Sequence, residues 1–156
     1  MSLEDVNLHL IDSVDSAFAL MRWLGERPAQ LGAIALDTET TGLSPERDRI
    51  RLAQIGDDRT GWAIPYERWG GVLEEVLKKW DGRIRMHNAT YDSAMLKADG
   101  IHIDRSKVDD TRIAGHILEP TESTALKNQT SRHVDARAAS LQRALDEFMK
   151  IGRAHV

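Results

Sequence analysis

Apolar positions along this chain repeat with two periods, and the switches between them mark its elements. Residues 6–11, "VNLHLI", alternate apolar and polar side chains and predict a strand. Ser13 stands where a helix cap belongs, ahead of "DSAFALMRWLGE", in which Phe18, Met21 and Leu24 recur at helical spacing before Pro28. Three short apolar runs follow, 33–37 ("AIALD"), 50–56 ("IRLAQIG") and 61–66 ("GWAIPY"), the last two separated by the turn "DDRT". A helical period returns near 69–80, with Val72, Val76 and Leu77 as its buried side. Next come a strand over 83–87, a helix from Thr90 to Gly100, and a helix over "TRIAGHIL" capped by Asp109 or Asp110 and stopped by Pro120. Two further helices fit "TALKNQTSRHV" and "RAASLQRALDEFMK". A hairpin meander of three strands followed by αβα units predicts an α/β fold: a mixed sheet, antiparallel meander plus parallel strands, flanked by helices. No linker, low-complexity tract or second-domain boundary interrupts the pattern.

Composition narrows the functions this pattern can carry. At 156 residues the chain suits one domain with a real core. It has no cysteine, which removes disulfides, thiolate metal sites and cysteine nucleophiles, and agrees with a cytoplasmic location. No apolar run approaches the roughly 20 residues of a membrane span, and the start "MSLEDVNLHL" is too acidic for a signal peptide. No membrane partner is therefore expected. The net charge of -4 argues against a generally basic nucleic-acid coat. It leaves open a nucleic-acid enzyme whose acidic site is neutralised by metal ions.

The stretch "ALDTETTGL" holds the first candidate chemistry. Strand alternation points Asp37 and Glu39 the same way, so two like charges share one face at the carboxyl end of a core strand. Open α/β sheets place their sites at such ends. In "HNATYD", Asn88 leaves the carboxyl end of strand 83–87 and Asp92 sits in the first turn of the next helix, within reach of the same sheet edge. Taken singly, each residue has an ordinary explanation: acids begin loops, Asp92 complements a helix dipole, and Asn88 stabilises a turn. Taken together, hard oxygen donors without thiolates or a histidine cluster suit Mg²⁺ or Mn²⁺ rather than zinc. Two such ions about 3.5–4 Å apart activate water and stabilise the leaving oxygen of an in-line displacement. On this reading, removing an acid relieves repulsion and leaves metal-free stability unchanged or higher.

These motifs carry a family resemblance. "LDTETTGL" resembles the first motif of the DEDD superfamily of 3′–5′ exonucleases, and "HNATYD" resembles its second, Asn-x-x-x-Asp. The later "VDDTRIAGHIL" and "ALKNQTSRHVDARAASLQRALDEFM" are similar to the proofreading domain of family A DNA polymerases, particularly those of actinobacterial phages. The resemblance runs over about residues 6–149 and implies a ribonuclease H-like fold. It also implies release of nucleoside 5′-monophosphates from the 3′ end of single-stranded DNA, with a polymerase domain in the intact parent and the host cytoplasm as location if the gene is phage-borne. Carried over by position, Asp37, Glu39 and Asp92 are catalytic ligands of two Mg²⁺ or Mn²⁺ ions. Thr40 corresponds to the contact with the terminal sugar, Leu43 to the wedge against the terminal base, and Asn88 to a residue near the substrate strand. Thr40 as a turn former and Leu43 as core are the ordinary alternatives. An RNA-trimming exonuclease of the ribonuclease D type and a non-catalytic nucleic-acid-binding domain remain the competing functions.

One part of the family pattern is missing. A third motif, Tyr-x-x-x-Asp or His-x-x-x-x-Asp, occurs nowhere except at His87–Asp92, and that aspartate already belongs to the second motif. The closing "IGRAHV" is unlike the family and reads as one frame of a common sequencing-library adapter. The expectation is an exonuclease domain over 1–150, incomplete at its C-terminal side, with 151–156 a non-native tail. Lys127, Arg132, His133, Arg137 and Arg143 form a basic set diluted by Glu122, Asp135, Asp146 and Glu147, which reads as a solvated helix face. Trp23 and Trp80 read as core or helix-end packing.

Overall fold

The computed structural model describes residues 6–27 and 32–137. The chain divides into two compact units, one running to Thr111 and the other starting at Arg112. The first is built on a six-stranded sheet of β1 (Asn7–Leu10), β2 (Ala33–Thr40), β3 (Ile50–Gly56), β4 (Thr60–Pro65), β5 (Arg83–Met86) and β6 (Val108–Asp110). Their spatial order is β1-β4-β3-β2-β5-β6. The meander β2–β3–β4 is antiparallel, while β1 joins β4, β5 joins β2 and β6 joins β5 in parallel. The mixed sheet expected from the alternation is thus present. β6 has no counterpart in the apolar pattern, because three residues are too few to show a period.

Three helices belong to this unit: α1 (Val14–Gly25), α2 (Tyr66–Lys79) and α3 (Ala89–Ala98). Ser13 caps α1 as expected, in a reciprocal capping box with Ser16. The buried side of α1 is Leu20, Trp23 and Leu24, whereas Phe18 is 67% exposed. The expected Phe18–Met21–Leu24 stripe is therefore turned part-way out of the core. Phe18 and Met21 instead line a shallow apolar groove with Val14, Trp69 and Val72 between α1 and α2. α2 starts three residues earlier than its apolar period suggests, directly after Pro65, whose missing N–H ends the strand ladder. Its fully buried residues are Leu73 and Val76.

The core lies on one face of the sheet. Along β2, Ile34, Leu36 and Thr38 are buried, and Ala53, Ile55 and Ile84 from neighbouring strands share their side. Trp80 is buried, with its indole N–H donating to the Arg83 carbonyl at 2.9 Å. The other face carries Ala35, Asp37 and Glu39, so the acids stand opposite the core. In the second unit the described helices are α4 (Thr111–Leu118) and α5 (Leu126–His133). The helix expected over "RAASLQRALDEFMK" lies outside the described residues apart from Arg137. Among the described residues no helix is long and apolar enough to cross a membrane.

Leu36 tests the assignment of faces, because it is 2% exposed and flanked in sequence by Asp37. Leu36→Ala is expected to cost about 2–5 kcal/mol in urea unfolding, the range for a buried leucine that leaves a cavity. A cost near zero would place Leu36 outside the core and reverse the two faces.

Candidate active site

β2 is the central strand of the site because its two neighbours run in opposite directions. It pairs antiparallel with β3 and parallel with β5, so its carboxyl end and that of β5 emerge side by side. Asp37 is half-buried there and Glu39 is exposed, on the face opposite the core. The register slips between Glu39 and Thr40: Glu39 pairs with Leu52 and Thr40 with Ile50, leaving Arg51 as the extra residue of a bulge. The ladder is thus broken beside the second acid.

Asp92 reaches this end of β2 from the first turn of α3. It is 3% exposed, and one carboxylate oxygen accepts from the Thr38 N–H at 3.0 Å and the Thr38 hydroxyl at 2.6 Å. Thr38 stands between the two acids in sequence but points into the core, and this positioning role is not among the sequence expectations. The signal was available: a threonine on the apolar side of a strand needs a buried partner.

The three carboxylates interact through their charge. Burial pushes Asp37 up to about 6, with repulsion from Asp92 and then Glu39 adding to the rise. Burial also raises Asp92, against the Thr38 bonds that lower it, and Asp110 adds repulsion. Among the described residues, however, no three acidic or histidine side chains are arranged closely enough to form a preformed cage for one ion. The structure brings Asp37, Glu39 and Asp92 to one strand end without converging them on a point.

Asn88 turns the chain from β5 into α3 with φ 68° and ψ 50°, in the left-handed region that asparagine tolerates better than most residues. The Asp110 carboxylate accepts from the N–H groups of Asn88 at 3.2 Å and Ala89 at 2.9 Å. Asp110 therefore caps α3 across the sheet. β6 lies beside β5 and so delivers Asp110 to the free amides of α3, a contact that the sequence expectation of a cap on "TRIAGHIL" does not include. The other alternative, Asp109, is occupied by the Arg83 guanidinium.

The loop after Glu39 is ordered by its own polar groups. Thr40 Oγ1 lies 2.7 Å from the Gly42 carbonyl and 2.5 Å from the Tyr91 hydroxyl, which itself donates to that carbonyl at 2.8 Å. Thr40 thus shapes the turn, whatever else it contacts. The Asp48 carboxylate accepts from the Ser44 N–H at 2.9 Å and the Thr41 hydroxyl at 3.2 Å. A Cβ on Gly42 would stand 2.6 Å from those carboxylate oxygens, so a larger residue there would push the Asp48 carboxylate off its bonds. Leu43 is 84% exposed and is not core. In the second unit, Arg132 pairs with Glu119 and Glu122, His133 with Glu119, and Arg137 with Asp135. These pairs agree with a solvated helix face for the described part of the basic set.

Comparison with known proteins gives a consistent picture. A sequence model of a 3′–5′ exonuclease family matches residues 12–147. The chain is 33% identical over 99 residues to the DNA polymerase of Mycobacterium phage L5, covering 59% of the chain and 17% of that polymerase. The chain therefore spans about a sixth of that relative. Among solved structures, NrnC of Brucella melitensis is 28% identical with a TM-score of 0.62, covering 83% of this chain and 61% of the other. The catalytic core of RRP6 from Trypanosoma brucei, at 21% identity and a TM-score of 0.68, covers 85% of this chain and 36% of its own and shares the fold.

Asp37 and Asp92 differ in what their removal does. Asp37 holds its proton more tightly folded than unfolded, so as pH rises from the ordinary 3.8 toward about 6 the folded state loses stability relative to the unfolded one. Asp37→Asn is therefore expected to melt higher than the wild type above pH 6 in metal chelator, with the gap closing below pH 4. A gap independent of pH would remove the field from the explanation. Asp92→Ala leaves the buried N–H and hydroxyl of Thr38 without their acceptor, and a loss of about 1–3 kcal/mol is expected in the same melts. The expectation of harmless removal, made for both acids alike, is thus kept for Asp37 and revised for Asp92.

Proposed function

The chain belongs to the 3′–5′ exonuclease family, and on that premise we propose that Asp37, Glu39 and Asp92 form the hydrolytic centre of an exonuclease acting on DNA 3′ ends. The observation that carries the reading is the gathering of Asp37 and Glu39 on one face of β2 with Asp92, which Thr38 of the same strand end holds by two bonds. Their donor chemistry fits a hard divalent ion: carboxylate oxygens, with no thiolate in the chain. An NrnC structure, 28% identical to this chain, is described with bound Mg²⁺. Mg²⁺ or Mn²⁺, two ions in the full reading, would be held by Asp37, Glu39 and Asp92. When bound, they supply an activated water and charge stabilisation on the leaving oxygen.

The chain's own residues then bind and position the strand. Thr38 fixes the orientation of Asp92, so α3 cannot drift from β2 without breaking two buried bonds. In this reading Leu43 wedges against the terminal base, and its exposure on the loop beyond the acids supports that role. Thr40, locked to Tyr91 and Gly42, holds that loop in shape, and in the same reading it meets the terminal sugar. Asn88 lies at the neighbouring strand end, near the path of the strand. The match to a phage DNA polymerase favours DNA and a proofreading role beside a polymerase domain in the host cytoplasm.

The sequence holds no third-motif tyrosine or histidine at family spacing. Without a group to take the proton from water, hydrolysis by this chain is expected to run about 10²–10⁴-fold below that of an exonuclease possessing one. The test is release of 5′-mononucleotides from 3′-labelled single-stranded DNA and RNA with Mg²⁺ or Mn²⁺, alongside melting with Mn²⁺. The expected result is slow release on DNA, abolished by Asp37→Ala, and a higher melting temperature with Mn²⁺ that the same substitution reduces. Fast release would mean that another residue supplies the base. Absence of both release and Mn²⁺ stabilisation would favour the non-catalytic binding domain, and release confined to RNA would favour the ribonuclease D type.

A further inference from the structure

A basic cleft of about 500 Å³ opens where the loop after β2, the start of β3 and the first turn of α2 meet, lined by Thr41, Arg49, Arg51, Pro65, Glu67 and Arg68. It begins where the site loop begins: Thr41 follows Thr40 directly, and its backbone N–H donates to the Arg49 carbonyl at 3.0 Å. The bulge opposite Glu39 and Thr40 sets its floor. With Ile50 buried at 3% exposure, Arg49 and Arg51 on either side of it are turned out to the surface. Arg68 comes from the exposed first turn of α2, which also supplies Glu67.

Three guanidinium groups against one carboxylate, that of Glu67, make the cleft a local concentration of positive charge that attracts anions. Elsewhere in the molecule cations are met by acids, as in Arg27 with Asp57, Arg83 with Asp109 and Lys107 with Asp81. Arg49, Arg51 and Arg68 form no ion pair among the described residues, although Glu67 stands beside them. Arg68 lies over the Trp69 ring, 5.2 Å from its centroid, which supports the side chain without neutralising it. Guanidinium is also the cation best matched to phosphate oxygens, through its planar fork of donors.

We propose that this cleft is a phosphate track for the single strand upstream of the cleaved nucleotide, carried by Arg49, Arg51 and Arg68. The terminal nucleotide sits at the acids, and the strand runs past Thr41 so that successive phosphodiesters meet the three arginines. The proposal rests on the reading of the acids as a hydrolytic centre, but the arginines are remote in role from metal and water. They contribute affinity for longer strands and not the chemical step.

The test is fluorescence anisotropy on the 156-residue chain in EDTA, where no cleavage occurs, with labelled single-stranded DNA of two and eight nucleotides. The wild type is compared with Arg49→Gln/Arg51→Gln/Arg68→Gln and with the corresponding triple lysine variant, each checked by melting temperature. Losing three phosphate contacts should lower the salt slope for the eight-mer by about 2, removing about twentyfold of affinity change between 50 and 200 mM salt. Dinucleotide binding should be unchanged, and the lysine variant, which keeps the point charges, should keep the wild-type slope. An eight-mer affinity and slope unaltered in the folded glutamine variant would overturn the track. Equal loss on the dinucleotide would overturn its upstream placement, and a lysine variant as weak as the glutamine variant would overturn charge as its basis. Mn²⁺ melting of the glutamine variant separates the two readings: strand binding that depends on the arginines without any Mn²⁺ effect supports the track and removes the hydrolytic centre.

Discussion

A single buried carboxylate holds the site together. Asp92 is almost sealed from solvent and accepts two bonds from Thr38, one from the backbone of β2 and one from a side chain that faces the core. A buried carboxylate is tolerated only when its oxygens are satisfied. Those bonds therefore fix the helix α3 and the strand β2 to one another at the place where the acids emerge. Asp110 works on the same joint from the other side, satisfying the amides that open α3. The left-handed turn at Asn88 is held between these two anchors.

Charge strains the same joint. Burial raises the Asp37 carboxyl to about 6 and repulsion from Asp92 and Glu39 adds to the rise, so near neutral pH a half-buried negative charge faces two others at this strand end. The fold supplies the restoring force through the core opposite, where Ile34 and Leu36 are buried along the same strand. A site that repels itself and a core that cannot yield are two faces of one strand, separated only by the alternation of side chains.

The strand alternation that places Asp37 and Glu39 together, and Leu36 against the core, was legible because it depends on residues i and i+2 alone. The first turn of α3 and the exposure of Leu43 were legible for similar local reasons. Thr38 and Asp110 were not, because their partners lie 54 and about 22 residues away and only pairing of β2, β5 and β6 brings them together. Phe18 misled because a helix that meets both a sheet and a second helix has two apolar edges, and periodicity alone does not say which is deeper. The bulge at Arg51 leaves no compositional trace, since nothing in "IRLAQIG" distinguishes an extra residue from a regular one.

That extra residue leaves β3 in step with the core on both sides of the bulge. Removing Arg51 would restore a regular ladder in which Ile50 and Ala53 still face the core with Leu52 between them, so the bulge turns one arginine outward without displacing a buried position. The loop from Thr41 to Arg49 is closed at its ends by two bonds, the Thr41 N–H on the Arg49 carbonyl and the Arg49 N–H on the Thr41 hydroxyl, and added residues within it need not cross the sheet. Length changes within that loop therefore leave β3 in register, and among relatives of this chain the bulge itself can come and go with Ile50, Ala53 and Ile55 still facing the core.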